Sequence, residues 1–253
     1  MRGQAVDTVL SQYEAVLSTS EEMASVGSDT GTRANGLLDS FQKGKTVLGM
    51  LVASEVLGEL ECLNKSLQKQ SQTISGMQAA VKYVRSTLQK KRNEEHFAEV
   101  FEKAESMADS LGIEPIQTPH QRNPPDRFTD RASQHKPKTP QEYYRMEFFK
   151  VLDSLDVQFK ERFNQPDLQI LRKLENVLLT GQMDDVLQPY PKINIQSLKV
   201  QLPMFLSKNH LMSSSEASTI LRKIPSEVRS LFDDVEKLVR VLLVVPVSSA
   251  EAE

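Results

Sequence analysis

Five basic side chains in a proline-rich stretch near the middle of the chain have the chemistry to contact phosphate groups. They are Arg122, Arg127, Arg131, Lys136 and Lys138. Two aspartates lie in the same stretch, so five positive charges minus two negative ones leave +3. A flexible basic segment can follow a nucleic-acid backbone without reading its sequence. We therefore take these five residues as candidates for nucleic-acid contact.

A second basic group occurs where the apolar spacing predicts a helix. It consists of Lys82, Arg85, Lys90, Lys91 and Arg92. Charge alone would allow these side chains to hold phosphates. Two glutamates follow directly, however, and partly neutralise the group. We interpret it as a solvated helix face and keep phosphate contact as the alternative.

The motifs of the commonest enzyme classes are absent from the sequence. There is no glycine-rich phosphate loop, no Gly-x-Ser-x-Gly turn and no His-Glu-x-x-His. The four histidines and the single cysteine show no zinc-ligand spacing. These absences remove the commonest nucleotide-binding, hydrolase and zinc-protease interpretations. Cys62, which lies among leucines, is expected to be a small buried hydrophobic residue.

The composition is that of a globular protein with a core. Hydrophobic residues make up 39% of the 253 residues and charged residues 26%, which is too apolar for a wholly disordered chain. A net charge of −3 provides no global attraction to nucleic acid, so any DNA contact must be local. No uncharged run is long enough to span a bilayer. We expect an intracellular protein with no membrane contact and no small-molecule substrate.

The first half of the sequence predicts a helical subdomain over residues 1–112. Apolar residues from Val6 to Leu17 follow the spacing of one amphipathic helix. A looser segment containing Gly27, Gly31 and Gly36 comes next. Three further stripes predict helices over 48–67, 74–88 and 97–111. Five prolines between residues 113 and 139 interrupt the pattern, and we interpret this region as a basic linker.

The second half predicts another helical subdomain over residues 140–253. Thr139 and Glu142 form a capping box with a proline at the first helical position, and this helix should end near Phe163. The remaining expected elements are a helix from Pro166 to Gly181, short helices and turns over 182–211, a capped helix at Ser213, and one long helix from Pro225 to Pro246. The valine-rich end of that helix is also compatible with a strand. The predicted fold is an all-α multi-helix bundle.

The last residues carry a resemblance to a known family. The stretch Leu242-Leu243-Val244-Val245-Pro246-Val247-Ser248-Ser249-Ala250-Glu251-Ala252-Glu253 resembles a motif of the hAT-superfamily transposases. Residues 63–68 and 125–145 are similar, in the same order, to other segments of that family. The second resembles the basic link and Tyr-Tyr helix of the branch known as zinc finger MYM-type or protein-kinase-inhibitor-repressor-like proteins.

The resemblance implies the helical insertion domain of an RNase H-like transposase. In this family two aspartates and a glutamate hold two divalent metal ions, about 3.5 to 4 Å apart, for DNA strand cleavage. Glu253 falls at the position of the catalytic glutamate. The two aspartates have no counterpart here and would precede Met1. The resemblance therefore implies that this chain holds no cofactor and catalyses nothing alone, and that a metal such as Mg²⁺ is needed only by a longer parent enzyme.

The resemblance also implies a dimerisation region at the C-terminal end. Four apolar residues there are the candidates: Leu238, Val239, Leu242 and Leu243. The same amphipathic helix would equally suit an internal core. The expected partners are a second copy or a hAT-like protein, and DNA, in the nucleus. The leading hypothesis is a transposon-derived protein acting through dimerisation and DNA binding. A truncated part of an active transposase and a helical adaptor without a DNA role are the alternatives.

Overall fold

The computed structural model describes residues 2–26, 29–69, 72–119 and 137–244. Within these ranges the protein is all-α, which confirms the predicted fold class. The described residues contain no strand, and their extended pairing is limited to an isolated parallel bridge between Lys43 and Glu114. None of their helices is both long and apolar enough to cross a membrane.

Helices make up most of the described residues in both halves of the chain. The first half contains α1 (Arg2–Ser11), α2 (Tyr13–Ala24), α3 (Asp29–Phe41), α4 (Gly44–Leu67), α5 (Ile74–Lys90) and α6 (Glu94–Ser110). The second half contains α7 (Pro140–Phe163), α8 (Pro166–Thr180), α9 (Ile195–Lys208), α10 (Ser214–Lys223), α11 (Ser226–Arg229) and α12 (Asp233–Val244). Single 3-10 turns lie at Asp185–Leu187 and Ser230–Phe232.

The chain forms two compact units, and neither is continuous in sequence. Unit 1 comprises residues 1–61 and 86–156, and unit 2 comprises residues 62–85 and 157–253. The boundaries fall inside α4, α5 and α7, so each of these helices contributes to both units. The division expected from sequence, into helical subdomains over 1–112 and 140–253 joined by a linker, stays a prediction.

The local start and stop signals of the second half are confirmed. Glu142 donates its backbone N–H to Thr139 Oγ1 at 3.1 Å, and its carboxylate accepts the backbone N–H of Lys138 at 2.8 Å. Ser213 likewise accepts the N–H of Glu216 at 3.2 Å. Gly181 follows α8 with φ of 74°, a left-handed conformation that favours glycine. The two capping boxes and the helix-ending glycine are predictable from sequence because each involves residues only a few positions apart.

The opening region differs from the expectation in two ways. The single helix predicted over Val6–Leu17 is broken at Gln12 into α1 and α2. The segment predicted to be loose is instead the helix α3, which packs on α2. Gly31 makes this possible, because a Cβ at that position would lie 1.9 Å from the carbonyl oxygen of Val26. The glycine thus serves a close approach within unit 1.

Residues 182–211 also contain more helix than expected. Helix α9 runs for 14 residues with Pro203 in its interior, although a proline there removes a backbone donor and costs roughly 3 kcal/mol. Its buried face is Leu198, Leu202 and Phe205. Burying such side chains stabilises by roughly 1.5 to 3 kcal/mol each, which is enough to outweigh the proline. Tertiary burial therefore overrides the local signal.

The predicted final helix is divided as well. The 3-10 turn at Ser230–Phe232 separates α11 from α12, so the long helix expected from Pro225 is wrong in its continuity. Asp234 fixes the start of α12, because its carboxylate accepts the N–H of Asn194 at 3.0 Å while its own N–H donates to Gln201. Residues up to Val244 are helical, which decides against the strand alternative for that part of the segment.

Unit 2 has a continuous apolar core. It is formed by side chains from α5, α8, α9, α10 and α12, among them Met77, Leu174, Leu178, Ala217 and Val235, all 1% exposed or less. One carboxylate reaches into this core, that of Glu175 on α8, whose residue is 2% exposed. The core holds α5 and α8 in place, and these two helices carry the cleft described next.

Candidate functional site

A basic cleft of about 420 Å³ lies in unit 2 between α5, the C-terminal end of α7 and α8. Three cationic side chains line it: Lys82 and Arg85 from α5, and Arg172 from α8. No acidic residue lines it. Within the described part of the chain, the side chains of Lys82 and Arg172 form no hydrogen bond or ion pair. The cleft therefore presents a local positive charge on a protein whose net charge is −3.

The spacing of the polar residues on α5 places them on one face of the helix. Ser75, Gln78, Lys82 and Arg85 are separated by three or four positions, and residues at this spacing are neighbours on a helix surface. Helix α8 contributes Gln169 and Arg172 at the same spacing. Its tertiary packing against α5 brings the two polar rows to one cleft.

One donor in this cleft has no acceptor. The side-chain amide nitrogen of Gln78 is buried and has no hydrogen-bond partner. A buried donor left unsatisfied costs roughly 1 to 3 kcal/mol, so an acceptor that fills the cleft would recover that free energy. Amide, hydroxyl and cationic groups converge here, and an anion with several oxygens suits such a set of donors.

The first turn of α5 is held by a carboxylate from another helix. Glu175 accepts the backbone N–H groups of Ile74 and Ser75 at 3.1 and 3.2 Å, and Thr73 Oγ1 accepts that of Gly76 at 2.9 Å. Burial raises the pKa of Glu175, and its hydrogen bonds to the two N–H groups oppose that rise. The carboxylate is thus used to cap α5, and it fixes the end of the helix from which Ser75 and Gln78 project.

The remaining wall of the cleft is apolar. Phe159, near the end of α7, is 8% exposed, and Phe163 is half-buried, with the two ring centres 6.1 Å apart. Asn164 follows at the start of the connection to α8 and is exposed. The phenylalanines pack as part of the fold and leave only a limited aromatic surface. Phosphate or carboxylate oxygens therefore suit the cleft better than a stacked base.

Most of the basic strip predicted from sequence lies outside the described residues. Arg122, Arg127, Arg131 and Lys136 belong to that part of the chain. Lys138 is described, and its side chain is exposed in unit 1. Nucleic-acid contact through the strip therefore stays a prediction.

The basic group on and after α5 divides into two parts. Lys91 forms ion pairs with Glu55 at 2.8 Å and Glu59 at 3.5 Å in unit 1. Arg92 donates two hydrogen bonds to Asp153, at 2.7 and 2.9 Å. These two cations have internal partners and contribute to the fold. Sequence spacing alone did not separate them from the cations of the cleft.

The residues predicted to mediate dimerisation are mostly inside the core of unit 2. Leu238, Val239 and Leu242 are 0%, 2% and 3% exposed, as the internal-core interpretation of this segment expects. Leu243 is 42% exposed. Leu243 is therefore the member of the set that offers an accessible surface in this fold, and pairing between copies stays a prediction. Cys62, expected to be buried, is exposed, because the adjacent Leu63 takes the buried position on α4.

Sequence reasoning missed Gln78 and Arg172. The only available signal was the spacing of Ser75, Gln78, Lys82 and Arg85, which places them on one face of a predicted helix. Arg172 is more than eighty positions away from them in sequence. Only the packing of α8 against α5 brings it to the cleft.

Glu253, the candidate catalytic glutamate, lies outside the described residues. Among the residues that the structure describes, no group of three or more His, Cys, Asp or Glu side chains could hold a metal ion. No model of a known protein family, no curated protein and no solved structure matches this chain. The resemblance to hAT transposases therefore rests on the sequence motifs and stays a prediction.

Proposed function

We propose that this chain is a transposon-derived, hAT-like helical protein that contacts the nucleic-acid backbone and associates with other protein chains, without a complete catalytic site of its own. The observation that carries the DNA contact is the cleft of unit 2. There Lys82, Arg85 and Arg172 converge with the unpartnered amide of Gln78 and without any carboxylate.

The electrostatics of the whole chain support a local rather than a global contact. With 31 basic and 34 acidic residues, the protein as a whole repels polyanions weakly. Salt at physiological concentration screens charges beyond about 8 Å, so distant carboxylates have little influence on a ligand held in the cleft. A phosphate bound there would mainly experience the three cations.

Binding of this kind would show little base preference. The donors of the cleft are charged side chains, amides and a hydroxyl, which suit phosphate oxygens, and contacts to phosphates position a protein without reading sequence. Each neutralised phosphate releases counterions, so the affinity should fall with salt by a slope of roughly 0.9 per contact on duplex DNA and roughly 0.7 on single strands.

Salt-dependent DNA binding tests this proposal. The full chain is titrated into labelled mixed-sequence duplex and single-stranded oligonucleotides over a range of salt concentrations. We expect the double variant Lys82→Glu/Arg172→Glu to weaken binding at low salt and to reduce the salt slope by roughly 2, one for each lost contact.

Lys90→Glu is the matched control, because Lys90 is an exposed lysine on the same helix that does not line the cleft. It changes the net charge by the same amount as each single cleft substitution. If Lys90→Glu reduced the salt slope as much as Lys82→Glu, the contact would be a diffuse charge effect. If the unmodified chain bound neither oligonucleotide at low salt, the proposal would be wrong.

A further inference from the structure

A second groove in unit 2 combines apolar and cationic surface. It lies along α10 and α12 and has a volume of about 490 Å³. Its floor includes Leu221 and Val239, which are 3% and 2% exposed. One edge is formed by Leu243 and Val244, which are 42% and 78% exposed. Two large apolar side chains at one end of a helix thus border a groove that the described residues leave open.

The polar side of this groove carries an excess of positive charge. Three arginines line it, Arg222, Arg229 and Arg240, against one carboxylate, that of Glu236. Arg240 is already engaged, because it donates to Glu236 at 2.5 Å. The side chain of Arg222 is exposed and forms no hydrogen bond or ion pair with other described residues. Two guanidinium groups therefore remain for a ligand.

Arg229 is held in a fixed orientation. Its Nη2 donates to the carbonyl oxygens of Arg222 and Ile224, at 3.1 and 3.2 Å, and so closes the C-terminal end of α10. Its Nε is buried and has no acceptor. A guanidinium fixed in this way offers its remaining N–H at little entropic cost, and a carboxylate is the acceptor whose planar geometry matches it best.

We infer that this groove binds an acidic amphipathic segment of a partner protein. A carboxylate of the segment contacts Arg222 and the Nε–H of Arg229, and an apolar side chain next to it packs on Leu243 and Val244. The charge complementarity selects an acidic partner, since two arginines are available and Glu236 is neutralised by Arg240. A nucleic-acid backbone would leave the apolar edge uncovered, so the observations favour a peptide.

The groove is separate from the basic cleft, and the two sites share no lining residue. The inference therefore does not depend on the proposed DNA contact. Interfaces of this kind draw their affinity from a few buried aromatic or arginine contacts, while the rim contributes little. The fixed Arg229 and the apolar edge are the contacts expected to matter here.

Fluorescence anisotropy with designed peptides tests the inference. The probe is a short fluorescein-labelled helical peptide with glutamates on one face and leucine and phenylalanine on the other. Two comparison peptides have lysines in place of the glutamates, or alanines in place of the apolar residues. We expect the acidic amphipathic probe to bind the full chain, and both comparison peptides to bind at least about tenfold more weakly.

Substitutions in the groove locate the binding site. Arg222→Glu and Leu243→Asp should each weaken the probe about tenfold or more, because one removes the carboxylate contact and the other the apolar contact. Lys223→Glu is the matched control, since Lys223 is the exposed neighbour of Arg222 on α10 and does not line the groove. Circular dichroism of each variant establishes that the helices are retained.

Several outcomes would overturn the inference. Equal binding of the lysine peptide would show that charge does not select the ligand. Unchanged affinity in both Arg222→Glu and Leu243→Asp would place the peptide elsewhere. Displacement of the probe by an oligonucleotide would make this a nucleic-acid surface. A dimer in sedimentation that Leu243→Asp converts to monomer would make a second copy the occupant.

Discussion

In unit 1, basic side chains near the ends of helices are paired with carboxylates, whereas in unit 2 the most deeply buried carboxylates are used to hold helix ends. Lys91 of unit 1 lies 2.8 Å from Glu55 and 3.5 Å from Glu59. Arg92 contacts Asp153 with two hydrogen bonds and also lies over the ring of Phe149, 4.8 Å from its centre. The positive charges of this region are thereby neutralised within the fold.

Unit 2 distributes its charge differently. Glu175 and Asp234 are 2% and 5% exposed, and both accept backbone N–H groups, Glu175 from the first turn of α5 and Asp234 from Asn194. Asp234 also accepts from Lys237 Nζ at 2.9 Å, whereas the side chains of Lys82 and Arg172 have no acidic partner among the described residues. The basic residues between Lys82 and Arg92 thus have two roles. Lys91 and Arg92 contribute to the fold because carboxylates lie close to them, whereas Lys82 is open to a ligand because none does.

The largest effect should come from removing the buried cap of unit 2. Glu175→Ala leaves the buried N–H group of Ile74 and the part-buried N–H group of Ser75 without acceptors, and an unsatisfied buried donor costs roughly 1 to 3 kcal/mol. We therefore expect the free energy of unfolding to fall by roughly 2 to 4 kcal/mol in chemical denaturation. The substitution should also disturb the cleft, because Ser75 and Gln78 follow directly.

Glu175→Gln is the comparison for this prediction. A glutamine keeps a carbonyl oxygen at the same reach, so it can satisfy one N–H group and should cost clearly less than alanine. Hydrogen exchange locates the effect, since the amides of Ile74 and Ser75 should lose protection first in Glu175→Ala. Equal destabilisation by glutamine and alanine would show that volume, and not capping, explains the loss.

The features predictable from sequence were those with local causes. The caps at Thr139 and Ser213 and the left-handed Gly181 were expected correctly, because each depends on residues within one turn. The all-α class followed from the apolar spacing, since burial of one helix face repeats every three to four residues. The identity of a cap such as Glu175 could not be found this way, as it lies about one hundred positions from the turn it caps.

The features that sequence failed to predict depend on packing. Gly31 suggested a loose segment, but it lies inside α3 where a side chain would collide with Val26. Pro203 suggested a break, but the buried face of α9 outweighs its cost. Arg172 and Arg229 carried no signal at all, because their surroundings exist only after helices from distant segments meet. The same holds for the two grooves as a whole.

Glu55 of unit 1 and Glu175 of unit 2 should contribute to the pH dependence of stability with opposite sign. Burial tends to raise the pKa of Glu55, but the hydrogen bond and charge of Lys91, together with His96, outweigh it and lower the pKa. The stability that Glu55 contributes is then present above the unfolded pKa of about 4.3 and is lost as the pH falls through the folded value. Burial raises the pKa of Glu175, so its contribution is favourable at low pH and is lost as the pH rises through the folded value.

Urea unfolding of Glu55→Gln and Glu175→Gln between acidic and neutral pH measures this difference. The stability of the wild-type chain relative to Glu55→Gln should increase as the pH rises through the range near 4.3. Relative to Glu175→Gln it should decrease over the range above that value. Slopes of the same sign for the two variants would contradict the assignment of opposite pKa shifts.

The smallest effect should be that of the exposed pair Arg92–Asp153, whose side chains are 39% and 52% exposed. A double-mutant cycle with Arg92→Ala and Asp153→Ala isolates their coupling, which should be weak and should disappear at about 1 M salt, where the screening length is about 3 Å. Arg92→Ala alone should retain part of its effect at high salt, because it also removes the stem and guanidinium that lie over Phe149. A coupling that is unchanged by salt would mean that the pair in unit 1 is held by packing. The contrast with the unpartnered cations of unit 2 would then lie in burial and not in charge.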